Sequence, residues 1–186
     1  MFWYLLSDAG ILKEKRNELR DDEDLRRIYK EKFHSIYGLG FVNIINRPTR
    51  DITGLKKGEE LPGRRRISRI IETENPPVVC FIGKVAYEKY IGSKDFSFGW
   101  QEPINKSRIF VMHFPLRGEA IVRTRELRDV VQATLDQKCL LIEGAKHSQD
   151  FCGQHIHIRN YVIVTDASAQ SLRFRFHKEQ LETSTR

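Results

Sequence analysis

Apolar residues along this chain follow two patterns that alternate. Three short apolar runs have the composition of buried strands: residues 41–45, 78–82 and 108–114. Other segments carry apolar residues at three-to-four spacing, which indicates amphipathic helices: residues 21–36, 63–75 and 127–137. Strands that alternate with helices pair in parallel. The pattern therefore predicts an α/β fold, a three-layer α/β/α domain with a mostly parallel central sheet.

The alternation stops beyond residue 137. Residues 155–164 and 172–176 have strand-like runs, but no helical pattern separates them. We therefore predict a domain over residues 1–137 and a C-terminal extension of unknown role over residues 138–186. An appended β-hairpin is one form that this extension could take.

Composition narrows the class of protein. A chain of 186 residues that is 40% hydrophobic, with both charge signs interspersed, is typical of one soluble globular domain. Its apolar runs fall well short of the roughly 20 residues that span a bilayer, so no membrane partner is expected. The net charge of +7 is compatible with a nucleic-acid partner. Two arginine clusters carry much of it, although either could be an ordinary solvated helix face: Arg64, Arg65, Arg66 and Arg69, and Arg117, Arg123, Arg125 and Arg128.

The cysteines and histidines give little indication of metal chemistry. Three cysteines at irregular spacing are most simply buried, reduced thiols of an intracellular protein: Cys80, Cys139 and Cys152. His155 and His157 would point to one face of a strand near Cys152. No fourth ligand follows at zinc-like spacing, so we expect no metal site.

Polar residues lie at or just after the carboxyl end of each of the three apolar runs, where an α/β domain binds its ligands. They are Asn43, Asn46, Arg47 and Thr49 at the first run, Gly83, Lys84 and Tyr87 at the second, and His113, Leu116, Arg117 and Gly118 at the third. An amide such as that of Asn43 can read the polar edge of a nucleobase. Lysine or arginine beside glycine suits a phosphate, and an apolar loop residue can fill the gap left by a flipped base.

Each of these residues also has an ordinary structural explanation. Asn43 could cap or cross-link a loop. Lys84 could be a common lysine at a helix start, and Leu116 could be a minor core residue. The residues alone leave both interpretations open.

Residues 40–49, GFVNIINRPT, resemble the pattern G-[FV]-T-N-[LM]-V-x-R-P-T of the mismatch-specific uracil/thymine-DNA glycosylases, with Val42 in place of the usual threonine. Residues 81–88, FIGKVAYE, resemble the strand end G-K-x-x-Y-E of the same family.

Two further segments strengthen the resemblance. Gly63-Arg64 resembles the family's G-G-R, with Pro62 replacing the first glycine, and Phe2-Trp3 resembles its R-F-W segment. Order and spacing agree across roughly residues 2–137.

Two departures from the family pattern bear on function. Residues 113–118, HFPLRG, stand where the family has a Pro/Ser-rich loop, and a histidine there is typical of other branches of the uracil-DNA glycosylase superfamily. The family also has a first strand ending in a G-I-N-P-G-like motif, whose asparagine orients the hydrolytic water. That strand would precede Met1, so we expect the central first strand, and the catalytic asparagine with it, to be missing.

The resemblance implies a DNA glycosylase of base-excision repair that recognises G·U and G·T mismatches by base flipping and hydrolyses the N-glycosidic bond. It implies that His113 stabilises the leaving base and that Asn43 binds the base. The DNA-binding residues that it implies are Arg47, Lys84, Leu116, Arg117 and Gly118.

The implied partner is double-stranded DNA with a mismatched uracil or thymine, bound by a monomer without metal or organic cofactor. The location would be the cytoplasm (nucleoid) of a prokaryote or the nucleus of a eukaryote. The alternative is a catalytically inactive, truncated paralogue or fragment that only binds DNA.

Overall fold

A computed structural model describes residues 2–47, 55–115, 119–145 and 161–165 of the chain. The strands are β1 (Leu39–Asn43), β2 (Val78–Ile82), β3 (Gly99–Ile104), β4 (Ser107–Met112) and β5 (Tyr161–Thr165). The α-helices are α1 (Phe2–Asp8), α2 (Asp22–Ile28), α3 (Leu61–Glu74), α4 (Lys84–Ile91) and α5 (Ala120–Ala145). A 3-10 turn (Arg16–Leu19) precedes α2, and a π-helical turn (Tyr29–Phe33) continues it.

The five strands form one sheet in the order β1-β5-β2-β4-β3. β1, β5, β2 and β4 are parallel to one another, whereas β3 forms an antiparallel hairpin with β4 at one edge. Asn43 lies opposite Thr165, and Ile82 lies opposite Met112. The mostly parallel sheet predicted from the alternating pattern is confirmed.

Helices cover both faces of this sheet. On one face, α3 and α4 pack on Val79, Phe81 and Val164 through Ile67, Ile71 and Tyr90, among others. On the other face, α1, α2 and α5 pack on the alternate residues of the same strands, which include Cys80, Met112 and Ile163.

Crossover handedness explains this division. The chain passes from β1 to β2 through α3 and from β2 towards β4 through α4, and both steps move in the same direction across the sheet. After α5 the chain moves back in the opposite direction, from β4 to β5. Right-handed crossovers in opposite directions place their helices on opposite faces. The result is the predicted three-layer arrangement.

The centre of the sheet is filled within the described part of the chain, and the absence of the family's first strand stays a prediction. β5 lies between β1 and β2 and pairs in parallel with both, so the sheet has no gap there. Val162, Ile163 and Val164 are each at most 2% exposed. A strand buried on both faces reads as a continuous apolar run, which is what these residues are.

The domain boundary predicted after residue 137 lies within a continuous helix. α5 extends to Ala145, and β5 belongs to the same sheet as the strands that precede it. Within the described ranges, residues 161–165 are therefore part of the domain and not of an appended hairpin. The strand-like run 172–176 lies outside the described residues.

Strand ends differ slightly from the apolar runs. β1 ends at Asn43 and β4 ends at Met112. Asn43 is therefore the last residue of β1, and His113 is the first residue after β4. Ile44 and Ile45, which the apolar run included, lie beyond the strand and are buried against α3. The backbone N–H of Ile44 still donates a hydrogen bond to the carbonyl of Thr165. None of the helices in the described part of the chain is both long and apolar enough to cross a membrane.

Candidate functional site

The carboxyl ends of four parallel strands place polar residues along one edge of the sheet. Across this edge the order is Asn43 of β1, Thr165 of β5, Gly83 after β2 and His113 after β4. Neighbouring strands lie about 4.8 Å apart, so Asn43 and His113, three strands apart, are separated by about 14 Å at the backbone. Asn43, Lys84 and His113 share this edge, as their positions after apolar runs predicted.

Asn43 is held by β5. The hydroxyl of Thr165 donates a hydrogen bond to Oδ1 of Asn43, and Thr165 is 5% exposed. The backbone carbonyl of Asn43 accepts a second hydrogen bond from the Arg66 guanidinium of α3. Asn43 therefore does cross-link elements, as the structural interpretation supposed. With Oδ1 occupied, its Nδ2 amino group is the part that can donate to a ligand.

His113 is held by α5. One carboxylate oxygen of Glu126 lies 2.5 Å from Nδ1 of His113, and the other accepts the backbone N–H of His113 at 3.0 Å. The side chain of Glu126 is 13% exposed and that of His113 is 43% exposed. The carboxylate thus fixes both the backbone and the ring of a histidine that stays accessible at the sheet edge.

An aromatic wall lies beside the histidine. The Phe98 ring stacks on the His113 ring with a centroid separation of 3.6 Å and an interplanar angle of 24°. The ammonium group of Lys84 lies 5.0 Å from the centroid of Phe98 and 5.7 Å from that of Phe96. Lys84 therefore supports the loop before β3 by cation–π contacts while its side chain remains at the sheet edge.

Arg47 follows β1 and is engaged by an acidic neighbour. It donates two hydrogen bonds to the carboxylate of Glu59. These hydrogen bonds hold the pKa of Glu59 below its usual range. The charge of Arg47 is locally balanced, which weakens the case for a phosphate contact there. Leu116, Arg117 and Gly118, the other predicted DNA-binding residues, lie outside the described residues.

The two arginine clusters differ in their surroundings. On α3, Arg64 and Arg66 donate to backbone carbonyl groups of neighbouring elements, which is a structural role. Arg65 and Arg69 of the same helix are exposed. On α5, Arg123 is buried, whereas Arg125 and Arg128 are exposed.

The exposed arginines of α5 line a surface groove. The groove has a volume of about 640 Å³ and lies between the end of α1 and the first turns of α5. Its lining residues are Asp8, Arg16, Ala120, Ile121, Thr124, Arg125 and Arg128. Arg16 is paired with Asp8 and lowers the pKa of that carboxyl through a hydrogen bond. Three arginines against one aspartate leave the groove with positive charge.

Metal-binding groups do not gather in the described part of the chain, where no cluster of three histidine, cysteine or acidic side chains suits a metal ion. Cys80 is buried in the core, and burial raises the pKa of its thiol above the usual range. The side chains of Cys139, Cys152, His155 and His157 lie outside the described residues.

Sequence reasoning missed the residues that hold the site. Thr165 and Phe98 had no pattern that linked them to Asn43 or His113. Glu126 carried one signal, because it is an acidic residue next to Leu127 on the inner side of an amphipathic helix.

No protein-family model matches the chain, and neither does any curated protein. The functional interpretation therefore depends on the site itself and on the motif resemblance.

Proposed function

We propose that this protein is a uracil-DNA glycosylase-like enzyme that flips a mismatched uracil or thymine out of duplex DNA and hydrolyses its N-glycosidic bond. The observation that supports this most is the pair of held polar residues at one sheet edge. Asn43 is fixed by Thr165, and His113 is fixed by Glu126. Catalysis requires groups that are positioned before the substrate binds.

The chemistry of these groups suits a flipped nucleotide. Nδ2 of Asn43, which forms no hydrogen bond with the described residues, can donate to a carbonyl oxygen of the nucleobase, and the ring of His113 lies farther along the same edge. The Phe98 ring, stacked on the ring of His113, keeps that histidine in place at the sheet edge. The action on DNA would place the protein in the nucleoid of a prokaryote or the nucleus of a eukaryote.

Single-turnover assays on duplexes with a central G·U, G·T or G·C pair test this proposal. We expect release of uracil from the G·U duplex. His113→Ala should lower the rate by about two orders of magnitude or more, the range typical of an acid–base group. Asn43→Ala should reduce discrimination between uracil and other bases because the base-reading amide is lost.

Matched controls are available on the surface. His34→Ala and Asn17→Ala make the same chemical changes at exposed positions outside the site, and both should leave the rate unchanged. Duplex binding without any released base would favour the alternative function, an inactive DNA-binding protein. Absence of both binding and release would contradict the DNA assignment altogether.

The arginine groove predicts how DNA binding depends on charge. Removal of one phosphate-contacting side chain weakens binding across sequences and lowers the salt slope by about one. We therefore expect Arg125→Ala to weaken binding of any duplex and to reduce the dependence of log affinity on log salt, measured by fluorescence anisotropy. Arg69→Ala on α3, across the sheet from α5, is the matched control. Equal effects of the two variants would show that the groove has no special role.

A further inference from the structure

The hydrogen bonds around His113 determine which of its two ring nitrogens can act. One oxygen of the Glu126 carboxylate accepts the backbone N–H of His113, and the other lies 2.5 Å from Nδ1 of its ring. An ionised carboxylate only accepts, so Nδ1 carries a hydrogen. In a neutral imidazole the other nitrogen, Nε2, then carries a lone pair and is an acceptor.

Nε2 is the available nitrogen. Among the described residues, no group forms a hydrogen bond with Nε2, and the His113 side chain is 43% exposed. The stack with Phe98 restrains the plane of the ring without occupying either nitrogen. A water molecule at this edge would meet a fixed acceptor.

We propose that Glu126 makes His113 the general base that activates the hydrolytic water. In this role His113 is not the hydrogen-bond donor that stabilises the departing nucleobase. This inference rests on the proposed function, because it assigns a step in the same reaction. Glu126 is a positioning residue in this account. It acts through the ring of His113 and does not contact the substrate.

The step balances without a cofactor. Nε2 takes a proton from water as the water oxygen forms a bond to the anomeric carbon of the flipped nucleotide. The bond from that carbon to the base nitrogen breaks, and its electron pair leaves with the base. The imidazolium then returns the proton to the base anion, which restores the neutral ring. One water is consumed, and a free base and an abasic sugar are formed.

Nitrogen-15 NMR of the imidazole rings tests the pairing of His113 with Glu126 without any substrate. At a pH where the ring is neutral, we expect the His113 signals to report a protonated Nδ1 and an unprotonated Nε2. The spectrum of His113→Ala identifies these signals among the six histidines. Glu126→Ala should shift the ring towards the Nε2-protonated form, whereas Asp129→Ala, an exposed acidic residue of the same helix, should not. A wild-type ring protonated at Nε2 would overturn the proposal.

Single-turnover kinetics then distinguish the general-base role of His113 from a hydrogen-bond-donor role. Gln at position 113 can donate a hydrogen bond but cannot accept the proton, so His113→Gln should be as slow as His113→Ala. Glu126→Ala should lower the single-turnover rate by about a hundredfold, comparable to losing the carboxylate behind other functional histidines. A substantial rate retained by both His113→Gln and Glu126→Ala would assign the donor role instead.

The two proposals fail in distinguishable ways. If the wild type is active and the Glu126→Ala variant has the same single-turnover rate, the general-base role of His113 alone is overturned. A wild type that releases no base from any duplex would overturn the proposed function, and the base role with it, whatever the tautomer that NMR reports.

Discussion

An aspartate in place of Ile163 is expected to unfold the domain. Ile163 is the middle residue of β5, is 2% exposed, and packs under the helices of one sheet face. Burial of an unpaired charge belongs to the mechanisms that cost more than about 4 kcal/mol. The whole stability of a domain is about 5–15 kcal/mol. Circular dichroism and urea titration should show loss of the cooperative transition.

Two controls define the effect. Ile163→Val keeps the strand and should cost only about 0.5–1.5 kcal/mol. Ile121→Asp makes the same chemical change at a side chain that is 72% exposed, and surface substitutions usually stay within about 0.5 kcal/mol. If Ile163→Asp unfolds at the same urea concentration as the wild type, β5 does not occupy the centre of the sheet.

The elements that depend on local pattern could be predicted from the sequence. β2 and β4 were visible as apolar runs, and α3 and part of α5 followed from the three-to-four spacing of their apolar residues. These features are set by neighbours within a few residues, so the chain itself carries the information.

The place of β5 in the sheet could not be predicted in this way. Strand pairing joins residues that are far apart in sequence, such as Asn43 and Thr165. No local pattern states which strand lies beside which. The run Val162–Val164 did carry a usable signal, because three consecutive apolar residues favour a strand covered on both faces over an edge hairpin.

The candidate site likewise has residues that the local pattern predicts and residues that only the fold reveals. Asn43 and His113 were identified because each lies near the carboxyl end of an apolar run, and parallel strands end at a common edge. Their partners come from elements more than ten residues away in sequence, so only the fold reveals them. Glu126 and Thr165 are also the residues that decide which atom of each site residue is free to act.

Gly63→Ala is expected to destabilise the domain by more than about 3 kcal/mol, the upper end of the usual cost of overpacking. Alanine normally favours a helix by about 1 kcal/mol over glycine, so the expected sign is the reverse of the propensity. The reason is a close backbone contact. A Cβ at Gly63 in α3 would lie 1.8 Å from the carbonyl oxygen of Ile44, just after β1. Backbone atoms cannot turn away as a side chain can, so α3 would have to move off the sheet.

The same displacement should reach the site. α3 carries Arg66 to the carbonyl of Asn43, so a shift of the helix would release Asn43 from one of its two holding bonds. We expect Gly63→Ala to lower the urea midpoint strongly and, in whatever fraction stays folded, to reduce base discrimination. Arg69→Ala on the same helix has an exposed side chain and should change the free energy of unfolding by no more than about 0.5 kcal/mol. A Gly63→Ala variant as stable as that control would mean that α3 does not approach β1 this closely.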